Sequence, residues 1–156
     1  MKRVLTVACV GLFWVGVLFS DKLAGTVVGS SAAPVGVQEI SSSVLDGVFT
    51  AAQARRGRRV YNQNCSACHG PEMQGGEMAP GIAGNDFIVF WTELPVGSLF
   101  ERIKVTMPED GPGRLTDQEY TDVVAYMLDS NNYPAGEAEL PADKAALDEI
   151  MIVTVD

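Results

Sequence analysis

One histidine, His69, stands in a chain of 156 residues. Cysteine is nearly as scarce: Cys9, Cys65 and Cys68. A structural zinc site takes four Cys or His ligands. Beyond Cys9 the chain holds only two Cys and one His, so a fourth donor would have to be a carboxylate that no spacing supports. Basic residues are scarce in one region: from Gly70 to Asp156 there are 4 Lys and Arg against 17 Asp and Glu. Such a surface repels phosphate backbones and argues against a nucleic-acid partner. It favours a partner with a basic docking face, and it also serves plain solubility. No alternating strand pattern and no internal repeat is present, so the expectation is an all-α fold.

The N-terminus has the layout of a targeting segment. Lys2 and Arg3 precede an uncharged, mostly apolar run, Val4–Phe19, followed by Asp21 and Lys22. The run is shorter than the roughly 20 residues of a spanning helix. A secretory signal over 1–32, cut after Ala32, is expected, with an uncleaved membrane anchor as the alternative. Export would remove Cys9 and leave Cys65 and Cys68. The rest divides into a small, Ser-rich linker over 33–45, a helical domain over 46–134 and an acidic extension over 135–156, with a short helix after Pro141.

Within the domain the helix signals are local. Thr50 and Gln53 form a capping-box pattern, with Phe49 placed to staple onto Ala54. Asn85 is expected to cap a short helix carrying Phe87, Phe90 and Trp91. Ser98 and Glu101 form a second box, opening a helix that Met107-Pro108 stops. Thr116 and Glu119 form the clearest box, ahead of the apolar stripe Tyr120, Val123, Val124, Met127 and Leu128. Arg55, Arg56, Arg58 and Arg59 are expected on a solvated helix face, with a role in partner docking as the alternative. The expected core is Tyr61, Phe87, Trp91, Leu99, Ile103, Val123 and Tyr126, with Met127 also packed inside.

The stretch NCSACHG, residues 64–70, carries the chemistry. A dithiol redox site would sit at a strand-to-helix junction in a βαβ pattern; here a helix precedes and a Gly-rich loop follows. Haem attachment accounts for every part. Two thiols two residues apart on one helical turn reach the two vinyl groups, and the next residue, His69, ligates the iron. With no other histidine, the second axial ligand is sought among the methionines. Met73 and Met78 follow His69 too closely to reach the opposite face. Met107 has chain enough to return, so Cys65, Cys68, His69 and Met107 are the expected haem c site, with His69 and Met107 on the metal.

From these residues the chain resembles a class I c-type cytochrome over about 46–134. The motif Cys65-Ser66-Ala67-Cys68-His69-Gly70 and the segment Thr106-Met107-Pro108 carry the likeness. Gly57 and Tyr61 resemble the family's N-terminal helix, and Val123 and Tyr126 its C-terminal helix partner. The resemblance implies three to five helices wrapped around one covalent haem. It implies that the Pro80 carbonyl accepts a hydrogen bond from His69. It places Trp91 against the haem or a propionate, with core packing as the alternative. The stretches WTELPVGSLFERIKVTMP, PGRLTDQEYTDVVAYML and NNYPAG are similar to small periplasmic cytochromes that serve quinoprotein dehydrogenases. The implied activity is one-electron transfer rather than catalysis, in a periplasmic chain. A dehydrogenase and a terminal oxidase are the expected redox partners, and membrane contact is expected only if the N-terminal segment stays uncleaved. The thioether edge near Ser66 and Ala67, with Met73 and Met78, is the expected contact patch. An open-site haem protein, peroxidase-like or a sensor, with Met107 unbound, is the alternative.

Overall fold

The computed structural model describes residues 42–154. The expected signal or anchor, and the linker up to residue 41, lie outside the described residues. Six helices and two very short strands appear in the order β1 (Ser42–Ser43), α1 (Ala51–Asn64), α2 (Ser66–His69), α3 (Asn85–Trp91), α4 (Val96–Thr106), α5 (Asp117–Ser130), α6 (Lys144–Asp148) and β2 (Ile150–Met151). The architecture is all-α in character, and the count exceeds three to five through the short helices α2 and α6. No helix among the described residues is long and apolar enough to cross a membrane.

The helix starts separate local from distant control. At α5 the box is complete: the Glu119 N–H donates to Thr116 Oγ1 and the Glu119 carboxylate accepts from the Thr116 N–H at 2.8 Å. At α1 it is half made. Thr50 Oγ1 accepts from the Gln53 N–H at 3.0 Å, but the Gln53 amide turns away. It donates to the Leu140 carbonyl at 3.0 Å and accepts from the Leu140 N–H at 2.8 Å. Gln53 is fully buried, where an unpaired amide is costly, so this distant backbone pair wins over the local one. Helix α3 begins after Gly84, with Asn85 as its first residue rather than its cap. Helix α4 starts ahead of Ser98, at Val96, because the Pro95 carbonyl accepts the Ser98 N–H at 2.9 Å. Glu101 closes no box there and lies 3.4 Å from Lys144 Nζ.

Helices α1 and α5 form the centre. They cross at Gly57, where an added Cβ would collide with the Asp122 carbonyl oxygen of α5. Beside the crossing Tyr61 and Tyr126 meet edge-on at 5.5 Å between centroids. Arg56 departs from its expected solvated place. It is bidentate to Asp122 (2.9 Å for both bonds) and to Glu139 (2.9 and 2.7 Å), tying α1 to α5 and to the C-terminal segment. Asp122 is buried, and a planar guanidinium satisfies two of its acceptors at once.

The segment 135–154 packs onto this body. Leu140, Leu147, Ile150 and Ile152 join the same core as Val44 and Phe49. Strand β2 runs parallel to β1, with Ser42 opposite Ile150 and Ser43 opposite Met151. Ile152 exchanges backbone bonds with the turn before α4: Glu93 N–H to Ile152 O at 2.8 Å, and Ile152 N–H to Leu94 O at 2.9 Å. The expected core residues Tyr61, Phe87, Leu99 and Val123 are buried; Trp91, Ile103 and Tyr126 are half-buried against them.

Candidate functional site

Helix α1 ends at Cys65, and α2 folds the motif into a single turn. The Cys68 and His69 N–H groups both donate to the Cys65 carbonyl, at 3.1 and 3.0 Å. The Gly70 N–H then donates to Ser66 O at 2.9 Å, with Gly70 at φ 80°. Only a residue without a Cβ takes that conformation readily. Cys65 is half-buried and Cys68 exposed, and the two thiols are not bonded to each other. Burial pushes the Cys65 thiol up to about 11. Below α2, Tyr61 donates its hydroxyl to Gly70 O at 2.6 Å, and burial pushes the Tyr61 phenol up to about 12.

The loop after Gly70 folds back under the histidine. Gly75 N–H donates to His69 O at 2.8 Å, and Ile82 N–H to Met73 O at 2.9 Å. Met73 is therefore fully buried; it lies beneath the loop and not on the expected contact rim, whereas Met78 is exposed. The fold-back brings the Pro80 carbonyl 2.9 Å from His69 Nδ1. A proton on Nδ1 makes this a hydrogen bond and leaves the Nε2 lone pair free. His69 is buried.

Met107 lies just past the C-terminus of α4. Its N–H donates to Ile103 O at 2.8 Å, and its carbonyl accepts from the Tyr120 hydroxyl at 2.8 Å. Tyr120 is on α5, so the helix that crosses α1 also holds the methionine segment. Tyr120→Phe is expected to lower stability by about 1 kcal/mol, the usual net value of one such bond. Chemical denaturation checks this, and an unchanged midpoint would show that the bond does not hold the segment.

These elements line a half-open cavity of about 750 Å³. Cys65, Cys68, His69, Pro80, Trp91 and Met107 all line it. Leu99, Ile103, Val123 and Met127 give it apolar walls. Met127, expected in the core, is both buried and part of this wall. Several residues given no role in the site beforehand line it as well: Asn64, Asp86, Arg102, Thr106 and Glu109. The signal for two of them was present. Leu99 and Ile103, and beside them Arg102 and Thr106, are spaced four apart in adjacent columns of α4. Among the described residues no three His, Cys, Asp or Glu side chains gather as a metal-ion cage.

Residues 52–127, a little under half of the chain, match the family model described as cytochrome c oxidase, cbb3-type, subunit III. No curated protein and no solved structure matches the chain.

Proposed function

We propose that residues 52–127, which match that cytochrome model, form a class I c-type cytochrome domain of an electron-transfer protein with covalent haem c. The chain carries one haem, attached through Cys65 and Cys68, with His69 and Met107 as axial ligands. It works in a periplasmic electron-transfer chain between redox proteins. A quinoprotein dehydrogenase is the proposed donor and a terminal oxidase the proposed acceptor. The observation that carries the site assignment is the convergence of all six expected residues on one cavity of about 750 Å³. That volume lies within the roughly 300–1,000 Å³ common for cofactor sites, and the donor set is two thiols, one imidazole and one thioether.

Bound haem supplies a one-electron ferric/ferrous couple. This chain's residues do the rest. Pro80 O orients the His69 ring and sets its tautomer, so that Nε2 faces the cavity. His69 and Met107 would hold the iron through an imidazole and a thioether, a ligand pair that raises the potential. Trp91, Leu99, Ile103, Val123 and Met127 keep water from the interior, which favours the less charged state of the centre. Arg102 lines the same cavity and offers a guanidinium to a haem propionate.

Absorption spectra of the holoprotein test the axial pair. A weak sulfur-to-iron band at the red end of the ferric spectrum is expected in the parent and lost in Met107→Ala. A parent without the band, or a variant that keeps it, would overturn the assignment. The first result would point instead to the open-site reading.

A further inference from the structure

Eight Lys and Arg side chains lie among the described residues. Arg56, Lys104, Arg114 and Lys144 are each in an ion pair. Arg102 lines the cavity. The other three, Arg55, Arg58 and Arg59, are exposed on α1 and have no acidic partner among the described residues. Their one hydrogen bond is from Arg59 Nη1 to the Arg55 carbonyl at 3.2 Å. Arg55 and Arg58 are three apart and Arg55 and Arg59 four apart, spacings at which like charges on a helix repel. No ion pair among the described residues offsets that repulsion.

Their location gives it a use. The opposite face of α1, with Gly57 and Tyr61, is buried against α5. The outer face runs from Arg55 through Arg59 to Asn62, whose carbonyl accepts from Ser66 Oγ at 2.9 Å. Arg58 and Cys65 are two helical turns apart, roughly 10 Å along the axis. The arginines therefore border the exposed Ala67–Cys68 edge of the cavity turn. Elsewhere the surface is acidic, with 17 Asp and Glu against 4 Lys and Arg from Gly70 onward.

We propose that the Arg55–Arg58–Arg59 face of α1 is a docking surface for an acidic face of a protein partner, seating it against the Ser66–Cys68 edge. The purpose of that docking rests on the electron-transfer reading; the charge complementarity does not. An acidic partner is repelled by the rest of the molecule and accepted at this face, so approach and orientation are selected together. Guanidinium groups suit the task because they pair bidentately with carboxylates.

The test compares the holoprotein with the R55Q/R58Q/R59Q variant, in which glutamine keeps the helix propensity and Arg56 is untouched. Circular dichroism checks that the variant folds. Poly-L-glutamate, standing in for an acidic protein face, is titrated at low and high ionic strength. Binding to the parent at low salt is expected, weakened about tenfold in the variant and abolished by high salt. In a second measurement hexacyanoferrate(III) oxidises the reduced protein. Its rate should fall with salt in the parent, despite the net charge of −9, and rise with salt in the variant. Equal poly-L-glutamate binding by parent and variant would overturn the proposal. So would phosphatidylglycerol-vesicle binding without poly-L-glutamate binding, or low-salt self-association lost in the variant without such binding. A chain that shows no haem spectrum defeats the electron-transfer reading and leaves the poly-L-glutamate result standing.

Discussion

Gly57→Ala should lower the stability of the folded chain by about 3 kcal/mol. Two effects of opposite sign decide this. In an open helix the change stabilises by about 1 kcal/mol, because alanine is the better helix former. Here the new methyl meets the Asp122 carbonyl oxygen, part of the rigid backbone of α5, with Tyr126 Cβ 3.0 Å away. Neither can rotate aside. The helices must separate, and separation breaks the Tyr61–Tyr126 edge contact and stretches the paired Arg56–Asp122 bonds. Overpacking a core costs roughly 1–3 kcal/mol and sometimes more, and a backbone collision belongs at the upper end. Chemical denaturation of the two holoproteins measures it. Because propensity and collision pull in opposite directions, the sign is decisive: a variant as stable as the parent would mean that α1 and α5 do not approach this closely.

Ile152→Ala tests the C-terminal segment in the same way. Ile152 is fully buried, and its backbone is bonded on both sides to the Glu93–Leu94 turn. Truncating a buried isoleucine costs roughly 2–5 kcal/mol, and about 3 kcal/mol is expected here. Backbone bonds on either side restrict collapse of the surroundings into the hole. An appendage detached from the core would lose almost nothing. A shift below about 0.5 kcal/mol, the ordinary range for surface changes, would remove the segment from the core. Leu94 also lines the cavity, so the same substitution loosens a turn that forms part of its wall.

What could be read from the chain was what neighbouring residues decide among themselves. The Thr116–Glu119 box needs three residues of separation, and it forms. The turn Cys65–His69 needs four, and it forms. Gln53 follows the same local pattern as Glu119, yet its partner is Leu140, and nothing near Thr50 announces that. Arg56 resembles its three arginine neighbours in sequence; only the crossing with α5 gives it Asp122. Met73 looks like an exposed loop methionine until the loop folds back and Ile82 bonds to its carbonyl. Ser98 and Glu101 copy a capping signature, but Pro95 starts the helix sooner. In the candidate site the thiols and imidazole were picked out from spacing and Met107 by elimination, and all four line the cavity. Pro80 and Trp91 came from family likeness. Arg102 was missed because an arginine beside Ile103 has the spacing of a surface residue as much as that of a wall.

The Tyr120–Met107 bond sets how the two sides of the cavity can move. His69 is carried by the turn at the end of α1, and Met107 is held by α5. Those two helices are locked at Gly57, so both sides of the cavity hang from one rigid joint. For the proposed electron transfer, a change of charge at the centre then meets walls already in place. Walls fixed in this way would let His69 and Met107 hold a bound haem with little movement as its charge changed, so that the protein would serve as a fixed conduit rather than a gate.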